Sequence, residues 1–375
     1  VTDKLNIKMI DGSITVKPAT LTITTPDASK VYDGSALTSA GTITGLVSGE
    51  TVTFTTTGSQ TEVGESDNTY TLTWNGTAVE SDYTLDKTIG KLKVTADTTE
   101  LTIESSTKSW TYDGNAHTDY VYTITYGEAS GTAALNAETG KYEYELSTGD
   151  VVAITPAEAA KITHVADSDV DNAFSYELEN ASFYSSVTKT EGTLSVTPAT
   201  LTIVTQGAEK EYDGEALTAE GSISGFVTPT GGAQETATFT VTGSQTAVGK
   251  SNNTYTLTWD GTATESDYTL DETIGELEVT TSTKVLKVES ADGEWTYDGN
   301  AHTKYEYTVT YGTVEYTATV AEGAATATAT LSTGDVVTIT PATAATVTHV
   351  ADGEVANAFT WTVANESYYT KGTDT

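Results

Sequence analysis

No cysteine and no arginine occur in the 375 residues, and each absence removes possibilities. Without thiols there are no disulfides to brace a small domain, no thiolate metal site and no cysteine nucleophile. The 17 basic residues are all lysine and face 53 acidic ones, for a net charge of −36. A surface this acidic repels phosphate backbones and anionic headgroups, which excludes nucleic acid and bare membrane as partners. No apolar run approaches the ~20 residues that span a bilayer, so no membrane insertion is expected. No basic-then-apolar leader precedes Val1 and no initiating methionine stands there, which reads as a processed or excised chain.

What is present is repetition. Lys30-Val31-Tyr32-Asp33-Gly34-Ser35-Ala36-Leu37-Thr38 returns as Lys210-Glu211-Tyr212-Asp213-Gly214-Glu215-Ala216-Leu217-Thr218. Likewise Trp110-Thr111-Tyr112-Asp113-Gly114-Asn115-Ala116-His117-Thr118 returns as Trp295-Thr296-Tyr297-Asp298-Gly299-Asn300-Ala301-His302-Thr303. Two related units, A and B, therefore alternate, and the chain is an array and not one large domain. Each runs from Tyr-Asp-Gly through alternating segments to an Asn before an aromatic strand (Asn68, Asn172, Asn253, Asn357). The first three then close on Gly-x-Leu-x-Val, at Gly90, Gly192 and Gly275. The expected divisions are 1–17 (the end of a B-like unit, or a donor strand), 18–97 (A1), 98–197 (B1), 198–282 (A2) and 283–375 (B2, lacking its final strand).

Alternation of period two runs nearly throughout. In Tyr70-Thr71-Leu72-Thr73-Trp74 the large apolar residues share one face and threonines the other, the pattern of a half-buried strand. Thr and Val suit a pleated surface because β-branching restricts them little there. Asn75-Gly76, Asp260-Gly261 and the four Tyr-Asp-Gly triplets supply turns. In those triplets Tyr is expected to pack inward, Asp to accept from nearby amides and Gly to take positive φ. Thr155-Pro156-Ala157-Glu158 has the form of a capping box and predicts a single helical turn. Val16-Lys17-Pro18-Ala19-Thr20-Leu21 and Val196-Thr197-Pro198-Ala199-Thr200-Leu201 are short, proline-stiffened links. Ala96-Asp97-Thr98-Thr99 and Thr280-Thr281-Ser282-Thr283 have no proline and bend more freely.

These spaced elements (Tyr-Asp-Gly, the Asn-aromatic strand, a later Asp-Tyr or Phe-Tyr, then Gly-x-Leu-x-Val-x-Pro-Ala-x-Leu-x-Ile) resemble the MBG/YDG-type, Ig-like repeats of bacterial cell-surface proteins. The resemblance covers nearly the whole chain. It implies an extracellular stalk or adhesin on a bacterial surface and brings no catalytic residues with it.

His117, His164, His302 and His349 fall two to each B unit; His117 stands where A1 has Leu37, and His164 where it has Glu62. Positions that exchange in this way read as packing or surface. No Gly-x-Ser-x-Gly elbow or phosphate loop occurs, so no catalytic residue and no enzyme are expected. Lys30 and Lys210, with Gln60 and Gln245, raise a side-chain crosslink, but no Asn lies in a closing strand, and exposed side chains are expected instead. Asp167, Asp169, Asp171 and Asn172 present oxygens at alternate positions of one loop, which suits calcium; a solvated acidic loop is the alternative, and no other cofactor is expected. Trp361 with Tyr368-Tyr369 offers a sugar-stacking platform, against which tryptophans at repeated alternating positions read as core.

The resulting expectation is an all-β tandem array of four small β-sandwich (Ig-like) domains, with β-grasp-like modules as the alternative. Its function would be a rod-like extracellular stalk or filament, or else an adhesin region binding a glycan or protein ligand. Residues Gly12, Ile14 and Val16 match the Gly-x-Leu-x-Val ending that B2 lacks. They are expected to fill B2 of the next molecule, so that copies join head to tail, unless the chain is one segment of a longer array.

Overall fold

In the computed structural model, which describes residues 4–372, the β-branched, alternating segments form strands throughout. The ends Val1 and Thr375, used above to bound the first and last divisions, lie outside the described residues. Among the described residues the only helices are six 3-10 turns of three residues each. The chain is all-β, and the β-grasp alternative is set aside because no helix crosses a sheet face. Two compact units are present: one of Val1–Trp110, Ala116–Thr163 and Asp167–Val196, the other of Thr111–Asn115, His164–Ala166 and Thr197–Thr375.

In the first unit, A1 is a sandwich in which two chain passages each supply strands to both sheets. Ala19–Thr25 pairs antiparallel with Thr42–Thr44 and parallel with Tyr83–Ile89. After Pro26 the same passage continues as Ala28–Val31, parallel to Lys91–Thr95, which also pairs with Gly64–Asp67. A hairpin of Thr53–Thr56 and Tyr70–Thr73 completes the repeat. Leu21, Ile23, Leu92 and Val94, two apart in their strands, all point inward and are fully buried. B1 has a sheet of Leu101–Ser105, Tyr122–Tyr126, Ala129–Thr132 and Val187–Thr190 and a second of Ala134–Leu135, Tyr142–Glu145, Val151–Pro156 and Phe174–Leu178. A third places Thr193–Thr197 between Lys108–Thr111 and Val170–Asp171.

The recurring Asn and Gly hold the point where a passage changes sheets. Asn68 Nδ2 donates to the carbonyls of Pro26 (3.0 Å) and Ser39 (3.1 Å), and its backbone N–H to Gly90 O (2.8 Å). Gly90 lies so close that a Cβ there would sit 2.3 Å from the Pro26 carbonyl carbon. Asn172 repeats the bond to Ser106 O at 3.0 Å, and Asn253 that to Gln206 O at 2.9 Å.

In the second unit A2 reproduces A1 strand for strand, with Ala199–Thr205 between Gly221–Ser224 and Tyr268–Thr273, and Glu276–Thr280 between Ala208–Glu211 and Gly249–Asn252. B2 keeps both larger sheets of B1, one of Val314–Thr319, Glu306–Tyr311, Ser282–Ser290 and Tyr369–Lys371, the other of Ala327–Thr330, Val336–Pro341 and Phe359–Val363. The counterpart of the third sheet is missing among the described residues. Its middle strand in B1 is the Gly-x-Leu-x-Val ending, Thr193–Thr197, which has no counterpart among the described residues of B2.

Two expectations need correction. Thr155-Pro156 does not start a helical turn: Val151–Pro156 is a strand paired as far as Pro156↔Phe174, and Ala157 N–H extends the ladder to Ala173 O (2.9 Å). The turn comes after the strand, where Ala160 N–H donates to Ala157 O (3.0 Å). Trp74 is half-buried, its ring stacked on Tyr83 at 5.7 Å, and Trp259 stacks on Tyr268 at 5.9 Å in the same way. Neither is a fully enclosed core side chain.

Candidate functional site: shared carboxylates

Each Tyr-Asp-Gly triplet forms the tight turn its residues predict. Asp33 Oδ1 accepts from Lys30 Nζ (2.6 Å), Ser35 Oγ (2.7 Å) and Ser35 N–H (2.8 Å), contacts that hold its carboxyl down at about 2. Gly34, Gly114, Gly214 and Gly299 all have φ between 76° and 85°, a region that Cβ-bearing residues avoid.

The tyrosine does something the sequence did not indicate. Tyr32 N–H bonds Thr95 O (2.9 Å), which continues the parallel ladder past the end of its strand. The ring then leaves A1 and enters the B1 core beside Leu101, Ile103 and Tyr122. Its hydroxyl donates to Asp150 Oδ2 at 2.9 Å, and Tyr184 donates to the same oxygen at 2.5 Å. Asn180 Nδ2 donates to Asp150 Oδ1 at 2.8 Å. The edges of Phe183 and Tyr184 meet the Tyr32 ring at 4.9 and 6.0 Å. Gly34 passes so close to this loop that a Cβ would lie 1.8 Å from Thr148 O.

The second unit repeats the arrangement. Tyr212 donates to Asp335 Oδ2 (2.8 Å), Tyr369 to the same oxygen (2.6 Å) and Asn365 to Oδ1 (2.9 Å). A further case in that unit uses glutamate: Tyr112 donates to Glu235 Oε1 (2.6 Å) and Tyr268 to Oε2 (2.5 Å). Beside it His164 Nδ1 lies 2.7 Å from Asp267 Oδ2, and Val165 N–H donates to Oδ1 at 2.8 Å. The His164 ring packs on Tyr112 at 5.7 Å.

Asp150, Glu235 and Asp335 are each buried, and a buried carboxylate is tolerated only when charge-assisted donors surround it. Two phenols and, in the aspartate cases, an asparagine amide fill that role. Burial first, and the carboxylate second, push the Tyr32 and Tyr212 hydroxyls up to about 12. Tyr112, Tyr184, Tyr268 and Tyr369 are raised by the same two causes. These sites are fasteners, in which two phenols donate to one carboxyl group.

Asp167 Oδ2 accepts from Thr163 N–H (3.1 Å), Asp171 is an exposed residue paired with Thr193, and the buried Asn172 amide serves as the sheet-switch strut. Among the described residues no group of three or more His, Asp or Glu is assembled for a metal ion. Gln60 Nε2 bonds Glu62 O and Gln245 Nε2 bonds Ala247 O, both at 2.7 Å, while Lys30 and Lys210 pair with Asp33 and Asp213. Each histidine lies against an aromatic ring: His117 on Trp110, His302 on Trp295, His164 on Tyr112 and His349 on Tyr297. Tyr368 and Tyr369 turn in against Tyr212 and form no platform with Trp361, which carries Lys371 Nζ at 4.7 Å from its ring. Gly12, Ile14 and Val16 lie in an exposed segment without strand pairing, with Ile14 and Val16 at 98% and 96% exposure.

The partners Asp150 and Asp335 were missed, although a signal exists. Both stand in the identical stretch Leu-Ser-Thr-Gly-Asp-Val-Val, at 146–152 and 331–337, and Glu50 and Glu235 share the setting Glu-Thr before a strand.

Fold and fasteners together define a modular β-sandwich repeat protein. Residues 15–90 match the family model described as YDG domain, in agreement with the resemblance carried by the Tyr-Asp-Gly, Asn68 and Gly90 elements. No curated protein matches the chain.

Proposed function

We propose that this chain is an extracellular structural element of a bacterial surface, a stalk or filament segment whose repeats are set at defined angles to one another, and that it performs no catalysis. The observation that carries this reading is the fastening of one repeat's Tyr-Asp-Gly tyrosine under the following repeat's carboxylate, Tyr32 under Asp150 and Tyr212 under Asp335. A flexible tether needs no such contact, and a spacer of fixed geometry does. The acidic surface keeps a long assembly soluble and apart from its neighbours. The test is immunogold labelling of intact, unpermeabilised producing cells with antibody to the chain. Label along filaments or at the cell boundary is expected, and label found only after permeabilisation would overturn the proposal.

A further inference from the structure

Asn75-Gly76 is the one Asn-Gly pair in the chain; every other asparagine precedes a residue that carries a Cβ. The difference is chemical. A backbone nitrogen can attack the side-chain carbonyl of the asparagine before it, and a Cβ on the attacking residue obstructs that approach. Asn75 and Gly76 are both exposed, in the loop between the strand Tyr70–Thr73 and the turn Glu80–Asp82. The fold itself demands the glycine, since a Cβ on Gly76 would sit 2.1 Å from Thr51 O.

The surroundings hold one reactant and leave the other unengaged. Thr53 Oγ1 donates to Asn75 Oδ1 at 2.8 Å, which positions the amide and draws electron density away from its carbon. Thr77 and Ala78 N–H donate to Thr51 Oγ1 and Thr51 O, both at 3.4 Å, and Thr51 N–H donates to Thr77 Oγ1 at 3.1 Å. Among the described residues the Gly76 N–H takes no part in this net. A2 shows what the same turn does with an acid. Asp260-Gly261 stands in place of Asn75-Gly76, and a Cβ on Gly261 would sit 2.2 Å from Thr236 O. Asp260 Oδ2 accepts from Thr238 Oγ1 at 2.9 Å, the counterpart of the Thr53 bond, and Oδ1 accepts from Thr238 N–H at 3.1 Å. A carboxylate therefore fits this turn and gains a backbone donor.

We infer that Asn75 is a site of spontaneous modification, at which A1 converts from an amide to the acid that A2 already carries. Gly76 N gives up its proton to solvent base and bonds to Asn75 Cγ. The Cγ–Nδ2 bond then breaks, the nitrogen takes protons from water and leaves as ammonia, and a succinimide ring remains. Water opens the ring, at the side-chain carbonyl to give aspartate or at the main-chain carbonyl to give isoaspartate. One amide and one water are consumed, one carboxylic acid and one ammonia are released, and neither an oxidant nor an enzyme takes part. The buried struts Asn68, Asn172, Asn253 and Asn357 keep their amides. This inference goes beyond the structural reading and does not depend on location at a cell surface.

Prolonged storage of the folded full chain in mildly alkaline buffer tests it, followed by intact mass, ion-exchange chromatography and mapping of proteolytic peptides. A gain of about 1 Da with one added negative charge is expected, and the peptide map should place it on residue 75. Asn75→Gln, which would have to close a larger ring, should slow the gain about tenfold or more. Asn75→Asp, the product made directly, should unfold in urea at a midpoint no lower than that of the freshly prepared chain. A mass that does not change, a gain that maps to another asparagine, a Gln variant that converts as fast as wild type, or an Asp variant with a clearly lower midpoint would each overturn the inference.

Discussion

Tyr32 and Tyr184 donate to a single oxygen, Oδ2 of Asp150, from residues 118 and 34 positions away in sequence. One phenol comes from A1 and the other from B1, so the carboxylate couples a contact between repeats to the closure of B1 itself. Asp150→Ala should be the most damaging change at this site, since it leaves two buried hydroxyls and an amide without their acceptor.

Tyr32→Phe and Tyr184→Phe should each destabilise the first unit by about 1.5–3 kcal/mol, the range for a hydrogen bond to a charged group. The double variant should depart from additivity because both bonds end on one oxygen. Urea unfolding of the full chain measures this, and strictly additive losses would show that the two phenols act independently.

Alkali should release the fasteners late. The Tyr32 and Tyr212 hydroxyls are raised from 10.0 to about 12, so the folded state holds those protons more tightly than the unfolded chain does. The resulting stability is whole below pH 10 and is lost as pH rises through about 12. Tyrosinate absorbance and near-ultraviolet circular dichroism should change together in that window; loss of tertiary signal well below pH 10 would contradict the assignment.

Asn68→Ala should cost about 1–3 kcal/mol, because the fully buried Asn68 amide is lost as donor to the Pro26 and Ser39 carbonyls. Asn68→Asp should be worse, since a carboxylate would face the same two oxygens. Thermal unfolding decides this, and an Asp variant as stable as wild type would mean that the switch point is wet.

Gly34→Ala and Gly299→Ala separate backbone strain from contact. Both glycines have positive φ, 77° and 79°, but only Gly34 has a neighbouring carbonyl in the way. Gly299→Ala should cost about 1–2 kcal/mol, the penalty for a Cβ in that region, and Gly34→Ala distinctly more. Equal losses in urea unfolding would remove the close approach to Thr148 from the account.

Much of the fold was legible because it is written locally. Alternation places Leu21 with Ile23 and Leu92 with Val94 in the core, and Asp33 and Gly34 specify their own turn. The inward packing of Tyr32 was also legible, but not into which repeat, since side-chain periodicity carries no information about a partner 118 residues away. The same reading failed for Tyr297, which has the same motif and is exposed. Thr155-Pro156 misled because a capping pattern is local while the strand pairing to Phe174 that overrides it is not. For Asp150 the only sequence signal is its return within Leu-Ser-Thr-Gly-Asp-Val-Val.

The first and last strands of A1 run side by side in the same direction, with Ala19–Thr25 against Tyr83–Ile89 and Ala28–Val31 against Lys91–Thr95. When the two ends of such a repeat are pulled apart, the strands slide along each other and their ladder bonds bear the tension together. An antiparallel hairpin pulled at its open end would instead peel one bond at a time. A2 repeats the arrangement with Ala199–Thr205 against Tyr268–Thr273, so the direction in which the strands pair gives these small, cysteine-free modules resistance to stretching that their size alone does not supply.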